Sequence, residues 1–250
     1  MNKEELIESI KGLGINPTET QLQNLEIFLD CLLEENLKTN LTAIKDKENS
    51  YLKHVYDSLT IVKVLHLKDN ILYISKTIPI NNILDIGTGP GFPGIILKIF
   101  FPALHVTLLD SNNKKTKFLE KVTKNLGLTK INIINSRAEE YVVSQRESFD
   151  LVTSRAVARL NILLELAIPF VRPGGLFIAM KGRKDHLEEQ EGKAAAKLLQ
   201  SSWLNTLNFS LPKENSERTL YQITKSKPTS KLFPRRYEQI IKNPLKKKEK

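Results

Sequence analysis

A glycine-rich segment followed at a distance by a carboxylate is the part of this sequence best suited to chemistry. Residues 85–94 read D-I-G-T-G-P-G-F-P-G and follow the apolar run 82–84, and Asp110 closes a second apolar run that begins at His105. Glycines let a backbone approach a ligand closely and adopt positive φ angles. A carboxylate at the end of the second strand can accept hydrogen bonds from a ribose diol. The segment therefore predicts a site for a nucleotide cofactor.

The glycines fit two kinds of cofactor site. The spacing G-x-G-x-x-G over residues 89–94, with Asp110 further on, matches the dinucleotide fingerprint of an NAD-dependent oxidoreductase. The spacing D-x-G-x-G over residues 85–89 matches the acidic motif of methyltransferases that use S-adenosylmethionine. A carboxylate at Asp85 suits the ammonium group of a methionine moiety and would face an anionic pyrophosphate badly. The sequence thus favours S-adenosylmethionine, with NAD as the alternative.

Strand and helix patterns alternate around this segment and predict an α/β fold with a largely parallel sheet. The predicted strands are 82–86, 104–110, 131–135, 149–153 and 174–180, followed by a helix over 184–200 and a hairpin of antiparallel edge strands over 202–211 and 217–224. An antiparallel ending, and a helical segment before the first strand, are further arguments against a dinucleotide enzyme.

The chain divides into three predicted regions. Residues 1–70 form a helical cap, with leucines recurring at helical spacing over 22–32 and a second helix over 48–65. Residues 71–225 form the cofactor-binding core. A bridging segment over 68–81 overlaps the start of this core and leads to its first predicted strand. Residues 226–250 form a basic C-terminal arm.

Composition narrows the setting in which the protein works. The longest apolar stretches are near eight residues, shorter than the ~20 that a membrane span needs, and the polar N-terminus has no signal-peptide pattern. Cys31 is the only cysteine, so no internal disulfide can form. The four histidines and this cysteine show no metal-ligand spacing. We expect a cytoplasmic protein without membrane contact or a metal site.

The positive charge is concentrated at the C-terminus. The chain carries a net charge of +10, and residues 225–250 hold ten basic and two acidic side chains, so 10 − 2 = +8 lies there. A basic arm on a nearly neutral body predicts attraction to a polyanion, most plausibly a nucleic acid. In Phe233-Pro234-Arg235-Arg236-Tyr237, arginines beside aromatics can pair with phosphates and stack on bases. The alternative is a lysine-rich tail that only aids solubility.

The absence of certain catalytic motifs narrows the choice of atom that accepts the methyl group. Methylation of a pyrimidine at carbon 5 needs a thiolate, and Cys31 lies far from any strand end. Exocyclic amines are commonly handled by an N/D-P-P-Y turn after the fourth strand, where this chain has Thr153-Ser154-Arg155-Ala156. Guanine N7 already carries a free lone pair, so it needs no deprotonation before it attacks the methyl group. An enzyme that acts on it can rely on alignment, which supplies about 7–11 kcal/mol of barrier lowering. A ring nitrogen of this kind fits the sequence best.

The sequence resembles the bacterial small-subunit ribosomal RNA methyltransferase G family, also called the glucose-inhibited division protein B family. The likeness covers about residues 20–245. The motifs that carry it are Asn40-Leu41-Thr42, His54 with Asp57-Ser58, the segment 85–94, Leu109-Asp110-Ser111 with Lys114-Lys115, Ser136-Arg137-Ala138-Glu139, Ser154-Arg155-Ala156 and Ala179-Met180-Lys181-Gly182. The arm departs from the pattern, because some relatives have a proline- and glycine-rich stretch where Arg236-Tyr237-Glu238 stands here.

The resemblance implies a Rossmann-like class I methyltransferase fold: a mostly parallel seven-stranded sheet that ends in an antiparallel hairpin, with an N-terminal helical extension. It implies S-adenosylmethionine as the cofactor and methylation of guanine N7 in 16S ribosomal RNA as the reaction. Together with the glycine motif, it implies that the cofactor-binding residues are Asp85, Gly87, Gly89, Phe92, Asp110, Ser111, Asn112, Ala138, Glu139 and Arg155.

Three cations at strand ends, Arg137, Arg155 and Lys181, are the candidates for gripping the RNA or the cofactor carboxylate, and we treat them as the catalytic set. His54 and Asp57 lie on one helix face and either cover the entrance or form a simple pair. The expected partner is small-subunit ribosomal RNA or the 30S particle, and the expected state is a monomer. A non-catalytic RNA-binding assembly factor, or a methyltransferase of small molecules, remains an alternative.

Overall fold

The computed structural model describes residues 1–155 and 157–246. Ala156 of the strand-end motif and residues 247–250 of the predicted basic arm lie outside the described residues.

The N-terminal region consists of two regular helices and one composite helix. Helix α1 spans Lys3–Gly12 and α2 spans Glu19–Thr39; Thr18 starts α2 in a reciprocal capping box with Gln21. The amide of Gln21 donates to the carbonyl of Phe100 and so docks α2 on the core. The composite helix runs through α3 (Lys47–Ser50), a π-helical stretch (Tyr51–Tyr56), α4 (Asp57–Leu59) and a 3-10 turn (Thr60–Val64).

Residues 66–79 form a small antiparallel sheet. The sequence predicted no sheet here, and these residues were expected partly in the helical cap and partly in the bridging segment. Its strands are β1 (His66–Lys68), β2 (Ile71–Ser75) and β3 (Ile78–Pro79), in that order. Asp69 and Asn70 join the first two with positive φ angles of 50° and 59°. Two left-handed residues in a row suit a two-residue hairpin, so local turn chemistry overrides the helical pattern here.

The predicted seven-stranded sheet is confirmed. Its strands are β4 (Asn82–Ile86), β5 (His105–Asp110), β6 (Ile131–Asn135), β7 (Phe149–Arg155), β8 (Val171–Lys181), β9 (Ser201–Ser210) and β10 (Glu217–Lys225). The order is β6-β5-β4-β7-β8-β10-β9; the pairs among the first five are parallel, and β10 is antiparallel to both neighbours.

Helices cover both faces of this sheet. They are α5 (Gly94–Phe100), α6 (Asn113–Asn125), α7 (Ala138–Gln145), α8 (Leu160–Ala167), α9 (His186–Leu198) and α10 (Tyr237–Lys242). Neighbouring residues of β4 belong to different cores: Ile83 lies in one cluster with the N-terminal helices, and Leu84 lies in the other with α8. This alternation is what the period of two in a strand demands when both faces are buried.

Strand β4 is the topological switch point of the sheet. It pairs with β5 on one side and β7 on the other, and the connections that follow β4 and β7 run to opposite sides of the sheet, to β5 and to β8. Open α/β sheets bind ligands in the crevice outside the carboxyl ends of the strands at such a point. The glycine segment, Asp110 and Arg155 all lie at this edge.

The amino end of β4 is held by one carboxylate. Asp150 accepts hydrogen bonds from the amides of Asn81 (2.8 Å) and Asn82 (2.9 Å) and from Nε of Arg172 (2.6 Å). We expect Asp150→Ala to lower the free energy of unfolding by about 1–3 kcal/mol, because three donors lose their acceptor. Urea unfolding measures this, and Glu120→Ala on the exposed face of α6 is the control, expected within about 0.5 kcal/mol of the wild type. Equal values for the two variants would contradict the role of Asp150.

Candidate active site

A cavity of about 460 Å³ opens at the carboxyl end of β4. Its volume falls within the ~300–1,000 Å³ typical of small-molecule sites. Its wall is formed mainly by the glycine loop after β4, the end of β5, the turn from β6 to α7, the end of β7 and the composite helix. Single residues of other segments complete it. The lining residues are Leu41, Thr42, His54, Ile86–Pro90, Phe92, Leu109–Ser111, Lys115, Ser136–Glu139, Arg155, Val157, Leu166 and Tyr237.

The glycine loop folds under the cavity through its own backbone. The amides of Gly87 and Thr88 both donate to the carbonyl of Leu109, at 2.8 and 3.1 Å. Gly87 and Gly89 have φ angles of 66° and 60°, which disfavour any residue with a Cβ. A Cβ on Gly87 would lie 2.5 Å from a methyl carbon of Val157, whereas one on Gly89 would meet nothing nearer than Nζ of Lys115, at 3.9 Å. The loop is thus closed beneath Gly87 and open to a ligand at Gly89.

Asp110 connects this loop to the next strand. Its Oδ2 accepts the amide of Gly89 and its Oδ1 accepts the amide of Asn112, each at 2.8 Å. Each carboxylate oxygen keeps further acceptor capacity, and Asp110 lines the cavity beside Ser111. The side chain of Asn112 instead caps α6 by accepting the amides of Lys114 and Lys115, and Asn112 is not among the lining residues.

Asp85 lies beneath the loop and is fully buried outside the cavity lining. Its Oδ2 accepts the hydroxyl of Thr88 (2.7 Å) and the amide of Gly94 (2.8 Å). Its Oδ1 has no hydrogen-bond partner among the described residues. Burial raises the pKa of this carboxyl to about 7, against the opposing hydrogen bonds from Thr88 and Gly94. The side chain predicted to meet the cofactor ammonium thus shapes the loop from below.

The turn from β6 to α7 forms another part of the wall. Ala138 begins α7 and is buried, and Glu139 follows it into the lining. The first amides of a helix have no partner within the helix and are available to a ligand. Arg137 lies with its guanidinium carbon 5.2 Å from the ring centre of Tyr237. Tyr237 comes from the C-terminal arm and was not predicted to reach the cavity.

A stack of aromatic and cationic side chains forms a further part of the wall. Phe92 is buried, and the ring of His54 stacks on it with centroids 4.2 Å apart and planes inclined by 13°. The guanidinium carbon of Arg155 lies 5.2 Å from the centroid of the same phenyl ring. Phe92 therefore contacts a neutral ring and a cation at the same time, which explains why an aromatic residue suits this position.

The composite helix supplies the partners of Arg155. Its guanidinium donates to the carbonyl of Lys53 (2.9 Å), to Asp57 Oδ2 (3.4 Å) and to Nδ1 of His54 (3.2 Å). Only 17% of the Arg155 side chain is exposed. Burial lowers the pKa of the guanidinium, and the charge of Asp57 opposes that shift. His54 and Asp57, left open in the sequence as an entrance cover or a simple pair, thus both hold Arg155.

His54 is fixed in its neutral form. Burial, followed by the charge of Arg155, lowers its pKa to about 3. A guanidinium can only donate, so Nδ1 must accept and the ring proton must be on Nε2, which lies 2.9 Å from Oγ1 of Thr42. Both ring nitrogens are therefore engaged.

A second cavity of about 370 Å³ lies on the other side of Arg155 and His54, which line both. Lys53, Arg155, Lys181 and Arg218 contribute cations to its wall, against one carboxylate, Asp57. Arg218 of β10 donates to Asp57 Oδ1 at 3.0 Å. Cations outnumber carboxylates in its lining, although Lys53 is paired with Glu214 (3.0 Å), which is not part of the lining. The second cavity shares a partition with the first.

Lys181 lines only the second cavity. Its Nζ donates to the carbonyl of Ala158 (2.6 Å) and pairs with Glu188 (2.8 Å), whose Oε1 also accepts the amide of Leu160. The lysine therefore holds the segment 157–160, which packs on Gly87 through Val157.

Most of the predicted site residues meet in one place. The predicted residues that line the first cavity are Gly87, Gly89, Phe92, Asp110, Ser111, Arg137, Ala138, Glu139 and Arg155. Asp85 lies under the loop, Asn112 caps α6, and Lys181 faces the second cavity. Sequence reasoning missed Arg218, which lies in no motif and not at the carboxyl end of a parallel strand. It placed Tyr237 in a segment expected to contact nucleic acid and not at this cavity.

Neither a candidate metal site nor a candidate membrane span is present in the described part of the chain. Within residues 1–155 and 157–246, no group of three or more His, Cys, Asp or Glu side chains is arranged to hold a metal ion. None of the helices in that part of the chain is long and apolar enough to cross a membrane.

Comparison with known proteins links this geometry to one family. A family model described as rRNA small subunit methyltransferase G matches residues 21–220. A curated relative from Bacillus subtilis, named ribosomal RNA small subunit methyltransferase G, is 40% identical and aligns over 98% of this chain and 99% of its own. A relative of the same name from Staphylococcus aureus is 41% identical, with coverages of 98% and 99%. The solved structure of M. jannaschii TYW2 in complex with AdoMet aligns with 64% of this chain and 85% of that one, at 13% identity and a TM-score of 0.49.

The buried carboxyl under the loop gives a prediction for stability. The pKa of Asp85 is about 7 in the folded protein, above its ordinary value of about 4. Its contribution to stability is therefore complete below about pH 4 and is lost as the pH rises through about 7. Asparagine does not titrate, so this loss is absent in Asp85→Asn. Between pH 5 and pH 8 we expect the free energy of unfolding to fall by about 1–3 kcal/mol less in the variant than in the wild type.

Urea unfolding at the two pH values measures this difference. Asp69→Asn changes an exposed aspartate in the β1–β2 turn and is expected to keep the pH dependence of the wild type. An unchanged fall in Asp85→Asn would show that the carboxyl is ionised in the folded protein over the whole range.

Proposed function

The chain belongs to the ribosomal RNA small subunit methyltransferase G family, and we propose that it methylates N7 of a guanine in small-subunit ribosomal RNA with S-adenosylmethionine as the methyl donor. The family assignment confirms the resemblance found in the sequence. The observation that best supports this reaction is the pair of adjoining cavities with Arg155 in the partition. One cavity has the features of a nucleoside cofactor site, and the other has the charge of a polyanion site.

The residues of the first cavity fit S-adenosylmethionine. Gly89 leaves open space where a side chain would block a ligand, and Asp110 retains acceptor capacity for ribose hydroxyls. The turn at Ala138 and Glu139 offers a helix-start amide and a carboxylate that suit the adenine edge. The backbone at Gly87 also lines this cavity and suits the methionine portion. When bound, the cofactor supplies a methyl group on an electrophilic sulfonium.

The second cavity suits the acceptor nucleotide. Lys53 and Arg218 lie in its wall together with Arg155. These three cations are paired with two carboxylates, Glu214 and Asp57, so the wall keeps an excess of positive charge that attracts phosphate groups. Guanine N7 has its own lone pair, so the protein needs to align the base and does not need to remove a proton. The neutral, doubly hydrogen-bonded His54 agrees with this, because its role is to orient Arg155.

The predicted catalytic cations receive different roles in this proposal. Arg155 lies between the two cavities, and its contacts with the composite helix use Nη1 and Nη2 but not Nε. It is therefore the group best placed to contact the cofactor carboxylate or the RNA. Lys181 acts as a positioning residue, because its ammonium is occupied by Ala158 and Glu188. Arg137 belongs to the wall that also includes Tyr237.

The remaining alternatives are not favoured. An NAD-dependent oxidoreductase is at odds with full-length relatives named methyltransferases. A non-catalytic assembly factor would have no need for a cofactor-sized cavity beside a cationic one. Ribosomal RNA as the substrate implies a cytoplasmic location. We further propose that the enzyme acts as a monomer, that it requires no metal ion, and that the 30S particle or its RNA is the form it recognises.

Methyl transfer to ribosomal RNA tests the proposal directly. Purified protein is incubated with isotopically labelled S-adenosylmethionine and either naked small-subunit RNA or 30S particles from cells that lack the enzyme. Mass-spectrometric mapping then locates the label. We expect one labelled guanine carrying the methyl group on N7. Label on another atom would refute the assigned acceptor, and the absence of label on both substrates would refute the proposed reaction.

Arg155 gives the sharpest single-residue prediction. We expect Arg155→Ala to lower kcat more than tenfold, since removal of a charged group that acts at the reacting centre typically costs ~2–4 kcal/mol. The fold should persist, because neither hydrophobic core cluster includes Arg155 and because Arg218 still pairs with Asp57. Arg183→Ala is the control: Arg183 follows the same edge of the sheet but is 86% exposed, and its rate should stay within about twofold of the wild type.

Single-turnover methylation of the ribosomal substrate measures the rate, and circular dichroism checks folding. An unchanged rate in folded Arg155→Ala would remove Arg155 from the site.

A further inference from the structure

The described part of the C-terminal arm, residues 226–246, reaches the wall of the cofactor cavity. Tyr237, the first residue of α10, lines this cavity. The family model ends at residue 220, before the arm begins, although the alignments with the curated relatives cover 98% of this chain. The sequence predicted a nucleic-acid role for its basic residues and none for Tyr237 at the cofactor.

Buried contacts hold the arm in place. Glu165 of α8 is fully buried and accepts the backbone amide of Arg235 (3.0 Å), its Nε (2.7 Å) and its Nη2 (2.6 Å). Ile240, one turn after Tyr237, is fully buried in the core cluster that includes α8. Arg235, which the sequence offered as a phosphate contact, is thus used to fix the arm.

A second arginine fixes the segment just before this. The guanidinium of Arg146 donates to the carbonyls of Thr229 (2.9 Å), Ser230 (2.7 Å) and Phe233 (2.8 Å). Three carbonyls on one planar donor group define both the position and the direction of the chain there. The arm therefore reaches Tyr237 on a rigid path.

Tyr237 separates the cofactor cavity from the groove outside it. An outer groove of about 690 Å³ runs between the arm and the start of α7, and Tyr237, Arg137 and Glu139 line both this groove and the cofactor cavity. The phenol ring and the guanidinium of Arg137 contact each other, with 5.2 Å between the ring centre and the guanidinium carbon. The pair closes the side of the cavity next to Ala138, where the proposed function puts the nucleoside.

We propose that Tyr237 is a cofactor-binding residue, and that the arm, anchored by Arg235 on Glu165, serves to close the nucleoside end of the S-adenosylmethionine site. This rests on the proposed function for the identity of the cofactor. An aromatic ring beside a nucleobase provides stacking area, and the contact with Arg137 holds the ring at the rim. The residue acts on cofactor affinity and not on capture of the RNA.

Calorimetric titration of the full chain tests the proposal without any need for methyl transfer. We expect Tyr237→Ala to weaken binding of S-adenosylmethionine and of 5′-methylthioadenosine by about tenfold each, because both carry the nucleoside. Tyr237→Phe should bind within about twofold of the wild type, since the ring is retained. Lys242→Ala, at the exposed end of the same helix, is the matched control and should bind as the wild type does.

The anchor is tested with Glu165→Gln combined with Arg235→Met, which removes both charges together and avoids a stranded buried carboxylate. We expect the same loss of affinity as in Tyr237→Ala, and little further loss when all three changes are combined. Wild-type affinity in Tyr237→Ala would overturn the proposal, as would a defect confined to the KM for ribosomal RNA. A wild-type protein that binds neither ligand would instead refute the proposed function.

Discussion

The burial of one cation, Arg155, governs the arrangement around the site. A guanidinium at the end of a central strand must be paired or it destabilises the fold, and its partners all come from the composite helix. The π-helical stretch supplies the Lys53 carbonyl and the His54 ring from adjacent positions. Helical irregularities of this kind often occur at functional sites. The N-terminal region is therefore one wall of the site and not a separate cover.

The cofactor cavity is built mainly from backbone groups that carboxylates organise. Asp85 holds the loop from beneath through Gly94, and Asp110 holds it from the side through Gly89. These two contacts fix the loop before any ligand arrives, so less ordering entropy is lost on binding. Positive φ angles at Gly87 and Gly89 follow from the same geometry.

The fold and the centre of the site were predictable because they depend on local and periodic signals. Strand runs, the glycine spacing and Asp110 are all visible in a short window of sequence. The pairing of Lys181 with Glu188 was not predictable, because Glu188 lies on a helix whose docking depends on the whole core. The direction in which Asp85 points depends on strand parity and loop closure, and the hairpin at Asp69 and Asn70 has a weaker signature than Asn-Gly. Tyr237 lies in an arm whose path depends on Arg146 and Glu165.

Asp57 has a consequence for how the molecule folds as a whole. Its two oxygens bind Arg155 of β7 and Arg218 of β10, so three segments distant along the chain share one ionic junction. Separation of the composite helix from the sheet would leave two guanidinium groups without their counter-charge in the same step. Such coupling makes partial opening costly, and the N-terminal region and the sheet then melt as a single cooperative unit. A truncation that removes the composite helix or β10 would therefore also destabilise the segments that remain.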